Sequence, residues 1–188
     1  MKVAMTKISN NREIKTHQLL DAADGVFMRY GFDRTTMGLL ASAAGMSRPA
    51  LYLLFPGKEE IFSALVIELN DRLLERLKTE AGRLAGIEGK LLYVIQTWNE
   101  GVFDVHAAHP ESRDMDDLGF AAVRELYDRL ANFIALIVEG SSSAGATAKA
   151  LGRMLAFGAR GCRIAARDRE DMKSMITQLV NAVASSLA

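Results

Sequence analysis

Apolar positions recur along this chain at steps of three and four residues, the spacing that is typical of amphipathic helices. The first predicted helix begins near Asn10 or Asn11, runs to Tyr30 and is closed by Gly31. Since no segment alternates apolar and polar residues over a strand's length, we expect an all-α fold of about nine helices. One face of the first helix carries its large apolar side chains, Leu19, Leu20, Ala23, Val26, Phe27 and Tyr30.

The later helices are predicted in the same way. Two short helices lie within residues 35–58, and a stop before Pro110 separates a long helical region from a polar stretch, since the residue preceding a proline is pushed out of helical space. The segment from Gly140 to Gly145, GSSSAG, is the one linker-like stretch. The longer helices are expected over residues 58–83, 87–107, 117–137, 147–167 and 169–187, with one short helix possible over 111–117.

Residues 35–58 have the signals of a helix-turn-helix. Gly45 and Met46 interrupt the apolar run, and glycine supplies the left-handed conformation that often ends a helix. Ser47 is a favourable N-cap, and Pro49 is tolerated in a first turn because its missing N–H has no partner there. Two short helices joined in this way predict a DNA-binding unit at residues 1–57, a three-helix head on a larger C-terminal helical bundle at 58–188.

Composition and charge narrow the classes of function. The single Cys162 excludes an internal disulfide and a zinc site of paired cysteines, which favours a cytoplasmic protein. The apolar runs are shorter than the ~20 residues needed to span a bilayer, so no membrane partner is expected. Net charge is zero, but residues 1–58 carry eight Lys/Arg against four Asp/Glu, and residues 59–188 carry 15 against 19. A basic head has the right sign for binding phosphate.

Residues 12–62 resemble the TetR family of bacterial one-component regulators. The resemblance rests on Leu19-Leu20-Asp21-Ala22-Ala23, Val26-Phe27, Tyr30-Gly31-Phe32, Thr35-Thr36-Met37, Leu40-Ala41, Ala44-Gly45-Met46-Ser47, Leu51-Tyr52, Phe55, Lys58-Glu59 and Ile61. It implies a homodimeric repressor whose second short helix enters the major groove of a near-palindromic operator. The DNA contacts that we expect are Thr35, Thr36, Ser47, Arg48, Pro49, Tyr52 and Lys58.

These residues also have ordinary structural interpretations. Arg48 could bind guanine or a phosphate, or be a surface arginine. Tyr52 could donate its hydroxyl to a phosphate or fill the core, and Thr36 could hold phosphate or simply cap a helix. After Tyr52 the chain departs from the family pattern, because Leu53-Leu54 stands where an aromatic or polar residue and then histidine or tyrosine are usual. Leu54 cannot donate a hydrogen bond to phosphate.

The resemblance further implies a small, largely apolar effector and dimerisation through the last two helices, as a four-helix bundle. Ordinary core packing and an intramolecular helix pair are the structural alternatives. His106 and His109 lie near several acids, but solvated loop residues are favoured over a metal site. The candidate effector residues are Tyr93, Trp98, Phe103, His106, Phe120, Tyr127, Met154 and Phe157. The candidate dimerisation residues are Ala159, Cys162, Ala166, Met175, Leu179 and Val183.

We find no motif of hydrolytic or phosphate-loop chemistry, so neither an enzyme nor a cofactor is expected. The leading hypothesis is a ligand-responsive repressor that binds DNA as a homodimer. The alternative is a helical small-molecule-binding or interaction module with weakened DNA binding, motivated by Leu53-Leu54. Effector identity and operator sequence do not follow from the sequence.

Overall fold

The computed structural model describes residues 2–140, 147–185 and 187, and every regular element within them is helical, which confirms the predicted fold class. The first helix starts earlier than expected, and residues 141–145 of the predicted linker lie outside the described residues. In chain order the elements are α1 (Lys2–Arg34), α2 (Met37–Ala43), α3 (Arg48–Leu54), α4 (Lys58–Gly82), α5 (Ile87–Ala108), a 3₁₀ helix η1 (Pro110–Asp116), α6 (Ala121–Glu139), α7 (Ala148–Ala165) and α8 (Arg169–Ser185).

The described part of the chain forms two compact units. Among the described residues, the head unit contains those up to residue 69 and also 109–123, while the helical body contains 70–108 and those from 124 onward. The first boundary, after Leu69, falls inside α4, which runs from Lys58 to Gly82. The segment 109–123 joins the head because it packs on α1, which no local pattern in the sequence indicated.

A hydrophobic core holds α1 to α4 of the head together. The predicted apolar face of α1 is buried, with Leu19, Ala23 and Phe27 at 0% exposure. Phe27, Phe32, Phe62 and Phe120 form a chain of aromatic contacts whose ring centroids lie 4.5 to 6.2 Å apart. Aromatic pairs at such distances contribute roughly 0.5–1.5 kcal/mol beyond their buried area. Phe120 therefore stabilises the head, although it lies far along the chain from α1.

The turn between α2 and α3 has the hydrogen bonds of a Schellman motif. Gly45 adopts φ 63° and donates its N–H to the Ser42 carbonyl (3.2 Å), while the Met46 N–H donates to the Ala41 carbonyl (2.9 Å). These bonds satisfy carbonyls that the end of α2 would otherwise leave without partners. The turn therefore holds α3 at a defined angle to α2.

A second junction of the head joins the end of α1 to η1. Gly31 interrupts α1 with φ 71° and ψ 175°, and the Asp114 carboxylate accepts the N–H groups of Phe32 (3.0 Å) and Asp33 (2.9 Å). Arg34 forms an ion pair with Glu111 on the same side. One carboxylate from η1 therefore provides partners for two backbone donors that lie just after the break in α1.

The body packs around a core of large apolar side chains from α4 to α8, among them Leu77, Ile95, Trp98, Leu130 and Ile176. α6 and α7 approach closely at Gly152, where a Cβ atom would overlap the Ala131 carbonyl oxygen. Small residues thus set the separation of these two helices. Within the described ranges we find no helix with the length and apolar character that crossing a bilayer requires.

Candidate nucleic-acid interface

The second helix of the helix-turn-helix, α3, buries one side and exposes the other. Leu51 is fully buried, while Tyr52 is 50% and Leu53 80% exposed. Because successive residues of an α-helix are rotated by about 100°, Pro49 and Leu53 lie on the side of α3 opposite Leu51. Ser47 and Arg48 are exposed at the start of the same helix. Five exposed residues, four of them in the predicted set, thus form one face of α3.

Two of the predicted hydroxyl groups act as helix caps. The Thr36 hydroxyl accepts the Leu39 N–H (3.2 Å) at the start of α2, and the Ser47 hydroxyl accepts the Ala50 N–H (3.3 Å) at the start of α3. Both residues are exposed, so capping and an outward position occur together. A cap of this kind contributes about 1 kcal/mol to helix stability.

Thr35 and Lys58 turn their side chains into the head. Thr35 is only 1% exposed, and its hydroxyl donates to the Gly31 carbonyl (2.6 Å). The Lys58 ammonium donates to the carbonyls of Phe32 (2.8 Å) and Asp33 (3.1 Å) and lies 4.4 Å from the Phe32 ring centroid. These contacts provide donors for backbone carbonyl groups at the end of α1, where the helix dipole favours a cation. Both side chains, which the sequence predicts as DNA contacts, therefore have structural partners within the head.

A cleft of about 600 Å³ adjoins the exposed face of α3. One side is formed by Arg12, Lys15 and Gln18 of α1, and the other includes Leu53 and Leu54. None of the described residues that line it is acidic. Sequence reasoning did not select the three α1 residues, although the spacing of Arg12 and Lys15 places them on neighbouring turns of one helix face.

The predicted effector residues separate into different environments. Trp98, Tyr127 and Phe157 come together in the body, with ring centroids 6.2 Å apart for the first pair and 5.6 Å for the second. Tyr93 and Phe103 are partly buried against the same core. Phe120 instead belongs to the aromatic cluster of the head, and Met154 is 47% exposed on α7. The last two are therefore not part of the cluster that the structure assembles.

A buried polar network lies beside this cluster. Arg163, which is 5% exposed, donates to the Tyr127 hydroxyl (3.0 Å) and to Asn99 Oδ1 (3.3 Å), and its Nη1 lies 3.5 Å from His106 Nδ1. Asn99 in turn donates to the Ile95 carbonyl (2.9 Å). Sequence reasoning selected Tyr127 and His106 but not Arg163 or Asn99. Ala156 and Ala159 precede Arg163 by seven and four residues, so the spacing places all three on one face of α7, but only the structure shows that this face is the buried one.

The predicted dimerisation residues are also divided. Ala159 (0% exposed) and Val183 (4%) are buried in the core of the body, so they do not face outward. Cys162, Ala166 and Leu179 pack partly against that core, and Met175 is likewise half-buried. Burial raises the pKa of the Cys162 thiol. The outer side of α7 instead carries Met154, Gly161, Ile164 and Ala165, with Ile164 61% exposed.

Comparisons with known proteins agree with this geometry. The sequence profile of the family described as "Bacterial regulatory proteins, tetR family" matches residues 19–65. An HTH-type transcriptional repressor of Mycobacterium tuberculosis is 37% identical over 70 residues, a match that covers 37% of this chain and 37% of that protein. The matched part is thus well under half of that relative.

Two solved structures are similar over nearly the whole chain. The fatty acid degradation regulator FadR of Bacillus halodurans matches with a TM-score of 0.69 and 16% identity, over 92% of this chain and 96% of that one. FadR of Bacillus subtilis, solved in complex with stearoyl-CoA, matches with a TM-score of 0.62 and 23% identity, over 91% and 96%. At these identities the likeness establishes the fold. Together with the profile match over residues 19–65, the helix-turn-helix makes the head of this chain similar to that of the TetR family of bacterial regulatory proteins.

Proposed function

We propose that this protein is a ligand-responsive transcriptional repressor that binds a near-palindromic operator as a homodimer. The observation that carries the proposal is the exposed face of α3, which presents Arg48, Pro49 and Tyr52 beside a cleft lined by two cations and no described acid. A helix of this kind fits the major groove, where side chains at its leading end contact base edges.

The residues of this face have distinct chemical roles in the proposal. Arg48 is free to swing toward a guanine, where a bidentate contact to O6 and N7 discriminates by about 1–3 kcal/mol. The Tyr52 hydroxyl would donate to a phosphate, which positions the protein without reading sequence. Ser47 and Thr36 keep their capping bonds and lie at the surface nearby.

Selection from a random duplex library tests DNA binding. The protein should enrich a near-palindrome whose half-sites are about one helical turn, ~34–36 Å, apart. Arg48→Ala should then weaken operator binding and relax preference at one base pair per half-site, with the circular dichroism spectrum unchanged. Arg76→Ala, which removes the same charge from an exposed position in the body, is the matched control. Operator affinity that survives Arg48→Ala combined with Tyr52→Ala contradicts the assigned recognition helix.

The proposed dimer forms through the outer side of α7, with α8 beside it. Gly161 and Ala165 allow a partner helix to approach closely, and Met154 and Ile164 supply exposed apolar area. Ile164→Glu should shift sedimentation equilibrium toward monomer and weaken operator binding in parallel. Leu84→Glu, a similar change at a residue 39% exposed outside α7, should leave the dimer intact. An unchanged dimer in Ile164→Glu would place the interface elsewhere.

The proposed effector has a long apolar part and a polar end. Trp98, Tyr127 and Phe157 provide an apolar surface inside the body, and Arg163 places hydrogen-bond donors next to it. Stearoyl-CoA is bound by the Bacillus subtilis protein of similar fold, so it is the first probe. It should release the operator, whereas coenzyme A alone should not, because only a ligand with different affinities for two states shifts their equilibrium. If neither compound changes operator affinity, the effector belongs to another class.

A second candidate function is a helical ligand-binding module that no longer binds DNA. The exposed Leu53 favours it, because apolar side chains on a helix face are also found at protein interfaces. The random-library selection separates the two candidates, since failure to enrich any duplex at low salt supports the module.

A further inference from the structure

Leu53 is the most exposed of the large hydrophobic side chains in the described residues, at 80%. A single exposed leucine is common and by itself indicates nothing. Leu53, however, lies on the outward face of α3, opposite the buried Leu51, one helical turn after Pro49 and next to Tyr52. A helix that enters a groove with this face foremost brings Leu53 against the bases.

The cleft beside Leu53 is electrostatically complementary to a nucleic-acid strand. Arg12 and Lys15 line its α1 side, and Leu53 and Leu54 line the α3 side. Both cations are exposed. A phosphodiester strand matches this arrangement, because its phosphates carry negative charge while deoxyribose and thymine methyl groups offer apolar surface. One strand of a DNA duplex is therefore the occupant that fits the cleft.

We propose that Leu53 is a specificity-determining residue that recognises thymine through its C5-methyl group, while Arg12 and Lys15 bind flanking phosphates. The inference rests on the proposed DNA-binding function. Leucine has no donor or acceptor, so it cannot read the hydrogen-bonding pattern of a base edge. In the major groove, thymine is distinguished by a methyl group that an apolar side chain can contact.

Replacing thymine by deoxyuridine removes that methyl group and leaves the hydrogen-bonding pattern unchanged. In the enriched operator, each thymine is replaced in turn and affinity is measured by fluorescence anisotropy at fixed salt. At one thymine per half-site the wild-type protein should bind about 4-fold more weakly, equivalent to roughly 0.8 kcal/mol for one methyl group. Replacement in both half-sites should weaken binding about 15-fold, if the two contacts are independent.

Leu53→Ala completes a double-mutant cycle. The variant should bind the thymine operator more weakly than wild type, and deoxyuridine at the sensitive position should then have no further effect. Since Leu53 makes little contact with the rest of the protein, its replacement should leave thermal stability unchanged. Leu136→Ala, at a leucine 65% exposed on α6, is the matched control and should retain the deoxyuridine effect.

The phosphate contacts have their own measurement. Arg12→Ala and Lys15→Ala should each weaken binding similarly for all sequences and reduce the slope of log K against log salt by about two units, one for each subunit of the dimer. An unchanged salt dependence in both variants overturns this part of the inference.

The possible results distinguish a failure of the proposed role of Leu53 from a failure of the proposed DNA-binding function. If wild type enriches an operator but no thymine is sensitive, or if sensitivity persists in Leu53→Ala, the role of Leu53 is refuted and the regulator stands. If no duplex is enriched, the proposed function fails and the inference fails with it.

Discussion

Gly31 is the position where one added methyl group should be most damaging to the head. Its backbone, at φ 71° and ψ 175°, lies in a region that is essentially restricted to glycine. A Cβ atom there would overlap the Glu111 carbonyl oxygen and lie 2.9 Å from Asp114 Oδ2. Gly31→Ala therefore meets both an unfavourable conformation and a backbone atom that has no alternative rotamer.

The magnitude follows from these two terms. The conformation should cost about 1–3 kcal/mol. Relief of the overlap requires η1 to move away, which weakens the bonds from Asp114 to the N–H groups of Phe32 and Asp33. Each such bond contributes about 1 kcal/mol when partly solvated. We expect Gly31→Ala to lower the free energy of unfolding by about 3–5 kcal/mol, a large part of the ~5–15 kcal/mol of a typical domain.

Two other glycines provide matched controls. Gly45 also has a positive φ, 63°, but its Cβ would meet nothing within 4 Å, so Gly45→Ala should cost about 1–2 kcal/mol. Gly25 lies in the helical part of α1 with similarly open surroundings, so Gly25→Ala should stabilise the protein by about 0.5–1 kcal/mol. Urea unfolding monitored by circular dichroism gives all three values on one scale.

The order of the three variants is the decisive result. Gly31→Ala must be the least stable and Gly25→Ala the most stable. If Gly31→Ala unfolds at the same urea concentration as Gly45→Ala, the close packing of η1 on α1 is refuted. Asp114→Ala removes the two hydrogen bonds without the overlap, and its cost should therefore lie below that of Gly31→Ala.

Two further predictions concern a carboxyl group and a helix contact. Burial, and secondarily repulsion from Asp21, raise the pKa of Asp24, so the ionised carboxylate destabilises the folded state. Asp24→Asn should therefore raise the melting temperature at pH 7. This gain should shrink below about pH 4, where the carboxyl group of wild-type Asp24 is protonated. An equal gain at both pH values would contradict the assignment. Gly152→Ala should lower the free energy of unfolding by about 1–3 kcal/mol, because its Cβ would overlap the Ala131 carbonyl oxygen. Gly101→Ala is the control: its Cβ would meet nothing within 4 Å, so it should be neutral or stabilising in the same thermal unfolding experiment.

Local signals were sufficient to predict the helix-turn-helix. Ser47 caps α3 with its hydroxyl, and Gly45 adopts the positive φ that its position suggested. Each signal depends only on residues within a few positions, because capping and helix-end hydrogen bonds span three to five residues. The all-helical class and the resemblance to the family could be predicted for the same reason, since helical periodicity and the family pattern are both local.

The direction of individual side chains was harder to predict from the sequence. Thr35 and Lys58 lie where the family resemblance implied DNA contacts, yet both side chains bond to carbonyls near the end of α1. On α7 small and apolar residues occur on more than one side, so periodicity could not decide that Ala159 points inward and Ile164 outward. The buried position of Arg163 likewise depends on hydrogen-bonding groups that other helices provide.

The sequence alone thus determined the helices, their order and the basic charge of the head, because each follows from composition or short-range chemistry. Only the tertiary structure decided that residues 109–123 belong to the head, where Asp114 binds backbone groups 81 and 82 positions away. No local preference encodes such a contact. It forms because the break at Gly31 leaves two N–H groups that need an acceptor, and the folded chain places a carboxylate beside them.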